Sequence, residues 1–204
     1  PRVPLAPSVA GPAAVGLIAP DATFAVMAIV PDTKNWTWVL DEVCPECGFD
    51  AAAVELARMG ELVRANVAEW PPLLDAADVR RRPSATQWSA LEYGCHVRDV
   101  FALFDERLRR MLTEDAPEFD NWDQDETALA ERYAEQDPTV VRDQLVAAGS
   151  ACAERGDPVR DDDWQRTGER SDGSSFTVET FARYFLHDPV HHLVDVRRGN
   201  ALLG

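Results

Sequence analysis

From residue 51 onward the chain repeats apolar positions every three to four residues, with polar residues between them, the pattern of helices that bury one stripe. In AAAVELARMGELVRANVAEW (51–70), Val54, Leu56, Met59, Leu62, Val63 and Val67 fall mostly on one such stripe. Asp50 is placed to cap this helix and Pro71-Pro72 to stop it. The second helix start is the best marked. Ser89-Ala90-Leu91-Glu92 is a capping box, and Trp88 and Tyr93 occupy the staple positions on either side. That helix should run to about Leu112, turning Val97, Val100, Phe101, Phe104, Leu108 and Met111 toward a core. A third starts at Asp137-Pro138, a cap followed by a proline where its missing N–H is harmless. It passes through Val140, Val141, Leu145 and Ala148 and ends before Gly156-Asp157-Pro158. A fourth spans from near Thr177 to about Arg198, with Gly199 as its stop.

Strand signals are thin. Trp36–Leu40 is short, and Thr167 to Ser175 reads as a turn-rich loop around Asp172-Gly173. The pattern therefore predicts an all-α protein, a four-helix bundle over residues 50–204 with a long crossover between its second and third helices. That connection, residues 113–136, holds nine acidic residues against Arg132, which reads as a solvated surface. Part of it, Thr127 to Glu135, has the look of a short helix. Residues 1–49 form a separate section: an extension broken by Pro1, Pro4, Pro7, Pro12 and Pro20, then a segment bearing tryptophan and cysteine. Met27 is one reading of the natural start, with residues 1–26 as an upstream extension.

Charge narrows the function. The 204 residues carry 20 basic and 36 acidic side chains, a formal net charge of −16. That argues against nucleic acid and against anionic lipid, both of which call for basic surface. No apolar run approaches the roughly 20 residues needed to cross a bilayer. Four cysteines are too few for a disulfide scaffold, and no secretory signal is visible, so a reducing cytoplasm is the simplest expectation. No phosphate-binding glycine loop, nucleophile elbow or HExxH helix is present.

The four histidines carry the chemistry. His96 lies two turns into the second helix; His187, His191 and His192 lie in the fourth. His187 and His191 are four apart, so a helix puts both imidazoles on one face where they can share a metal. With His96 they make three neutral ligands and an open position, suited to zinc and also to nickel or iron. A helical wheel complicates this. Val178, Phe181, Ala182, Phe185 and Leu186 form the apolar face, and His187 and His191 project nearly opposite it, with His192 beside Phe185. Either that stripe lines a polar cavity under the crossover, or Pro189 shifts the phase of the helix and His192 replaces His191.

WSALEYGCHVRDVF (88–101), followed about ninety residues later by FARYFLHDPVHHLVDV (181–196), resembles the DinB superfamily over roughly residues 50–200. The nearest likeness is to a subgroup from high-GC bacteria that also carries a WTWVL…CPECGFD segment, as at Trp36–Leu40 and Cys44–Asp50. The resemblance implies a four-helix bundle with a long crossover, a divalent metal on His96, His187 and His191, and a homodimer. It also implies a thiol S-transferase or isomerase using a low-molecular-weight thiol such as mycothiol, acting on a small-molecule electrophile. A metal with an open position lowers the pKa of a thiol brought to it and makes the thiolate nucleophile; water in its place gives hydrolysis. The contrasting expectation is a non-enzymatic, metal-binding or stress-associated bundle.

Around these ligands, Asp188 and Asp195 are candidate acceptors for imidazole N–H groups, while Glu92 reads as the partner of Ser89. Arg98 and Arg183 are candidate clamps for an anionic thiol, although a solvated role suits either alone. Cys44-Pro-Glu-Cys47-Gly has the shape of half a zinc knuckle, but no second CxxC completes it. Packing or a reversible disulfide is the expectation there, with a redox pair or a share in an intersubunit site as the alternatives. Cys95 and Cys152 read as small buried apolar groups.

Overall fold

The computed structural model describes residue 29 and residues 34–204. The expected extension over residues 1–26, and Met27 with it, lies outside the described residues.

Trp36–Leu40 is a 3-10 turn, begun by Asn35, whose side chain accepts from the Thr37 amide at 3.1 Å. Asp50 caps as expected, accepting from the Ala52 amide at 3.0 Å, but what it caps is the short turn Ala51–Ala53. A second turn, Leu56–Arg58, follows before helix α1 (Met59–Val67) begins. The expected continuous helix over 51–70 is broken for a visible reason. The Arg183 guanidinium takes the carbonyls of Ala51 and Val54, which an unbroken helix would use in its own ladder. Pro71 and Pro72 do not end a helix; they sit in the first turn of α2 (Trp70–Leu74), where no intrahelical N–H is missed.

Helix α3 (Ala90–Thr113) starts at the predicted capping box. The Ser89 hydroxyl accepts from the Glu92 amide at 3.3 Å and the Glu92 carboxylate accepts from the Ser89 amide at 2.9 Å. All six apolar residues expected to face inward are buried. The long acidic connection holds strand β1 (Glu118–Phe119), helix α4 (Gln124–Ala130) and the turn Tyr133–Glu135. Helix α5 (Pro138–Gly156) has Asp137 as its cap. The region expected as loop is a hairpin: β2 (Thr167–Arg170) pairs antiparallel with β3 (Ser175–Thr177) around Gly173 at φ 90°, and β1 adds parallel to β2. A strand pattern of three or four residues is too short to show a period.

Helix α6 (Val178–Leu203) runs past Gly199. That glycine is there for contact, since a Cβ on it would lie 2.6 Å from Pro83 Cγ. Helix α3 packs against α5 and α6, and so does α1, giving a four-helix bundle of α1, α3, α5 and α6. Its centre is aromatic: Phe104 stacks on Phe185 with centroids 3.7 Å apart, flanked by Phe101 and Phe181. The segment from Trp36 to Phe49 lies on α6, and that placement builds one of the two groups described next.

Candidate metal centres

Helix α6 carries two pairs of candidate ligands on neighbouring faces. His187 and His191 form one; Asp188 and His192, one residue on, form the other, turned by about 100°. What packs on each side decides which partners each pair meets.

On the bundle side, His96, Asp188 and His192 offer ligand atoms all within 4.8 Å of one another. The capped start of α3 holds His96 two turns in, with no exposed surface. Its Nε2 approaches Asp188 Oδ1 at 3.3 Å, but without hydrogen-bond geometry. Both ring nitrogens of His96 and Asp188 Oδ1 are thus buried and unpartnered. Uncompensated, such atoms cost about 1–3 kcal/mol each. His192 turns Nε2 toward the same Oδ1 at 3.8 Å, while its Nδ1 lies 3.0 Å from Asp195 Oδ2. A carboxylate only accepts, so Nδ1 donates to Asp195 and Nε2 is the nitrogen turned toward the group. Trp122 stacks on His96 at 5.4 Å and an interplanar angle of 9°, and Trp88 covers another side. Tyr93 lies over His192 at 5.0 Å. The Asp188 side chain is 32% exposed, so solvent reaches the group there. Trp122 also lines a groove of about 350 Å³ with Arg98, Thr127 and Glu131.

On the other side of α6, Cys44, Cys47, His187 and His191 likewise bring ligand atoms within 4.8 Å of one another. Cys44 Sγ lies 3.7 Å from His191 Nδ1. The Cys44 carbonyl accepts from the Gly48 amide at 2.8 Å and its N–H donates to the Phe49 carbonyl at 2.9 Å. Gly48 adopts φ 77°, a turn that favours glycine. Trp36 covers both imidazoles at 5.3 and 5.1 Å, and Phe49 closes on His187 at 5.5 Å. His187 is 4% exposed with Nε2 unpartnered.

Burial and neighbouring charge set His187, His191 and Asp188 in the protonation states of ligands, whereas Cys47 is held as the thiol. Burial pushes the His187 imidazole down to about 4, helped by the neighbouring His191, and burial also lowers His191. Both are neutral near pH 7, as ligands must be. Burial would raise the Asp188 carboxyl, but His96 and His192 outweigh it and hold it at about 2. Burial pushes the Cys47 thiol up to about 11; the Phe49 amide opposes this and Cys44 adds to it. All four cysteines are thiols, without a disulfide.

The expected set of His96, His187 and His191 is thus divided. His96 meets Asp188 and His192; the other two meet Cys44 and Cys47. His192 takes the place read for His191 on the bundle side. Asp188, expected behind a ligand, stands within the group itself. Its signal was available, because Asp188 and His192 have the same four-residue spacing as His187 and His191. His187 and His191, on the stripe opposite the apolar face, are buried because the 34–49 segment covers them. Arg183 is a structural clamp on Ala51 and Val54, and Arg98 pairs with Asp99, Gln136 and Gln144.

The fold and these clusters define a four-helix bundle with candidate metal-ligand groups gathered around its last helix. The model of the DinB superfamily matches residues 59–195, and the chain belongs to that superfamily. Cys44 and Cys47 precede the matched residues. No curated protein matches the chain in sequence. Among solved structures it is similar to YfiT from Bacillus subtilis, described as a probable metal-dependent hydrolase with an unusual four-helix bundle topology. The identity is 16% and the TM-score 0.63, covering 80% of this chain and 91% of that one. Among the described residues no helix is long and apolar enough to cross a membrane.

Proposed function

We propose that the chain is a divalent-metal-dependent enzyme whose centre is His96, Asp188 and His192, and that it transfers a low-molecular-weight thiol of the mycothiol type to an electrophilic small molecule. The observation that carries this is His96: fully buried, both ring nitrogens unpartnered, facing a carboxylate oxygen that also lacks a partner. Two imidazoles and a carboxylate fit zinc first, and nickel or iron as well. When bound, such an ion supplies Lewis acidity and lowers the pKa of a thiol or water brought to it.

The chain's own residues do the rest. Asp195 holds the His192 ring so that Nε2 faces the group. Trp88, Trp122 and Tyr93 keep water from the closed sides. The side at Asp188 is left for substrate. Homodimer formation and a reducing cytoplasmic setting complete the proposal; a reducing setting suits the four free thiols.

The second reading is metal-dependent hydrolysis, favoured by the likeness to YfiT, described as a probable metal-dependent hydrolase. Metal-loaded protein should join mycothiol to monochlorobimane, and His192→Ala should not. Loss of ester hydrolysis in His192→Ala with no thiol adduct from wild type favours the second reading. Neither activity in metal-loaded wild type returns the chain to a non-enzymatic bundle.

A further inference from the structure

We infer that Cys44, Cys47, His187 and His191 form a second, closed metal site of tetrahedral S2N2 type, which takes zinc and pins the 34–49 segment to helix α6. It is separate from the centre at His96 and does not depend on the reaction proposed for it.

Geometry comes first. Zinc bonds of about 2.3 Å to sulfur and 2.0–2.1 Å to nitrogen give a tetrahedral S–N edge of about 3.6 Å. The Cys44 Sγ to His191 Nδ1 separation is 3.7 Å. The other ligand atoms of the group fall within 4.8 Å, so small rotamer adjustments bring all four onto one ion. The Cys44–Gly48 turn is the kind of knuckle that presents two sulfurs together.

Orphaned chemistry is the second line. His187 Nε2 is buried without a hydrogen-bond partner in a side chain that is 4% exposed. No disulfide satisfies the two sulfurs. His191 turns its remaining nitrogen, Nε2, to Asp195 Oδ2 at 3.5 Å and Glu46 Oε2 at 3.8 Å, which suits an imidazole that ligates through Nδ1.

Closure is the third. Two sulfurs and two imidazoles complete a tetrahedron, and Trp36 and Phe49 shield it, so no position is left for substrate. The role is structural. Zinc staples a segment that precedes the residues matched by the family model onto the helix that also carries Asp188 and His192.

The test uses the full chain, stripped of metal and reloaded. Wild type should take up two zinc ions per chain by elemental analysis. Its cobalt(II) form should show a thiolate-to-cobalt charge-transfer band in the near ultraviolet. Cys47→Ser should lose one ion and that band; His96→Leu should lose the other ion and keep the band. Zinc should also protect Cys47 from iodoacetamide in unmutated protein, a readout that survives if Cys47→Ser fails to fold. A cobalt form without the sulfur band, unchanged zinc stoichiometry in Cys47→Ser, or Cys47 alkylated equally with and without zinc would each overturn the inference. The second site would still stand if the thiol-transfer assay failed, because none of these readouts measures turnover.

Discussion

Replacing His96 with leucine should leave the metal-free protein within about 1 kcal/mol of wild type while removing its response to metal at the bundle-side centre. His96 has no exposed surface and two ring nitrogens without hydrogen bonds. Nε2 at least lies 3.3 Å from Asp188 Oδ1, so Nδ1 is the atom counted as fully orphaned. Leaving one such atom unsatisfied costs about 1–3 kcal/mol, and leucine removes it. Against this stand a repacking cost below about 1.5 kcal/mol for a swap of similar volume, the loss of the Trp122 stack, and the loss of the imidazole that helps hold Asp188 ionised. These opposing terms nearly cancel, so in EDTA the two proteins should lie within about 1 kcal/mol, or about 2–4 °C in Tm for a chain of this size. Metal should separate them. A ligand at a hundred times its Kd adds about 2.7 kcal/mol to a protein that binds it, and His96→Leu should forgo that increment at this site. The measurement is thermal unfolding of both proteins in EDTA and in zinc. A variant with an equal zinc increment would show that His96 is an ordinary core residue.

Three further changes test other parts of the account. Asp195→Asn should weaken metal binding at the His96 centre by about 10–100-fold, because Asp195 orients His192 through Nδ1; isothermal titration checks it, and unchanged affinity would refute that role. Gly149→Ala should destabilise by about 1–3 kcal/mol despite alanine's better helix propensity, since its Cβ would meet Val67 Cγ2 at 2.2 Å and Phe101 at 3.3 Å; urea unfolding reads it. Glu92→Gln should cost about 1–3 kcal/mol near neutral pH. Burial raises the Glu92 carboxyl, but Arg82 and Ser89 outweigh it and hold it below the usual range, so its contribution is full above about pH 4.3. That contribution is lost as pH falls through the lowered folded-state value, so the gap between wild type and variant should close only in strong acid. A gap that widens on acidification would contradict the assignment.

How much of this was legible in the chain depends on whether the signal is local. The Ser89–Glu92 box, the Asp137 cap and the α3 stripe are set by neighbours within one or two turns, and they appear where the pattern puts them. The break before α1 is not local: its cause is Arg183, more than a hundred residues away, taking two carbonyls that a continuous helix would need. Gly199 is likewise ambiguous in sequence, where a helix stop and a close helix contact both call for glycine, and only Pro83 distinguishes them.

The site divides in the same way. The four-residue spacing shows that α6 offers ligands on a face, but two such pairs overlap with an offset of one residue. On a helical wheel, the pair His187 and His191 lies on the side away from the apolar face, which is a poor place for a centre shared with His96. Taken with Asp188 and His192, the contradiction disappears: the pair turned toward α3 meets His96, and the outward pair meets the knuckle at Cys44 and Cys47. Each half-motif lacked ligands when read alone, CxxC wanting two and HxxxH wanting a buried partner. The 34–49 segment supplies what both lacked by folding onto the outward face of α6. Asp195 then touches both groups, at 3.0 Å from His192 Nδ1 and 3.5 Å from His191 Nε2. One carboxylate therefore lies against imidazoles on two faces of α6, bonded to His192 and facing His191, and the placement of both rings depends on the same side chain.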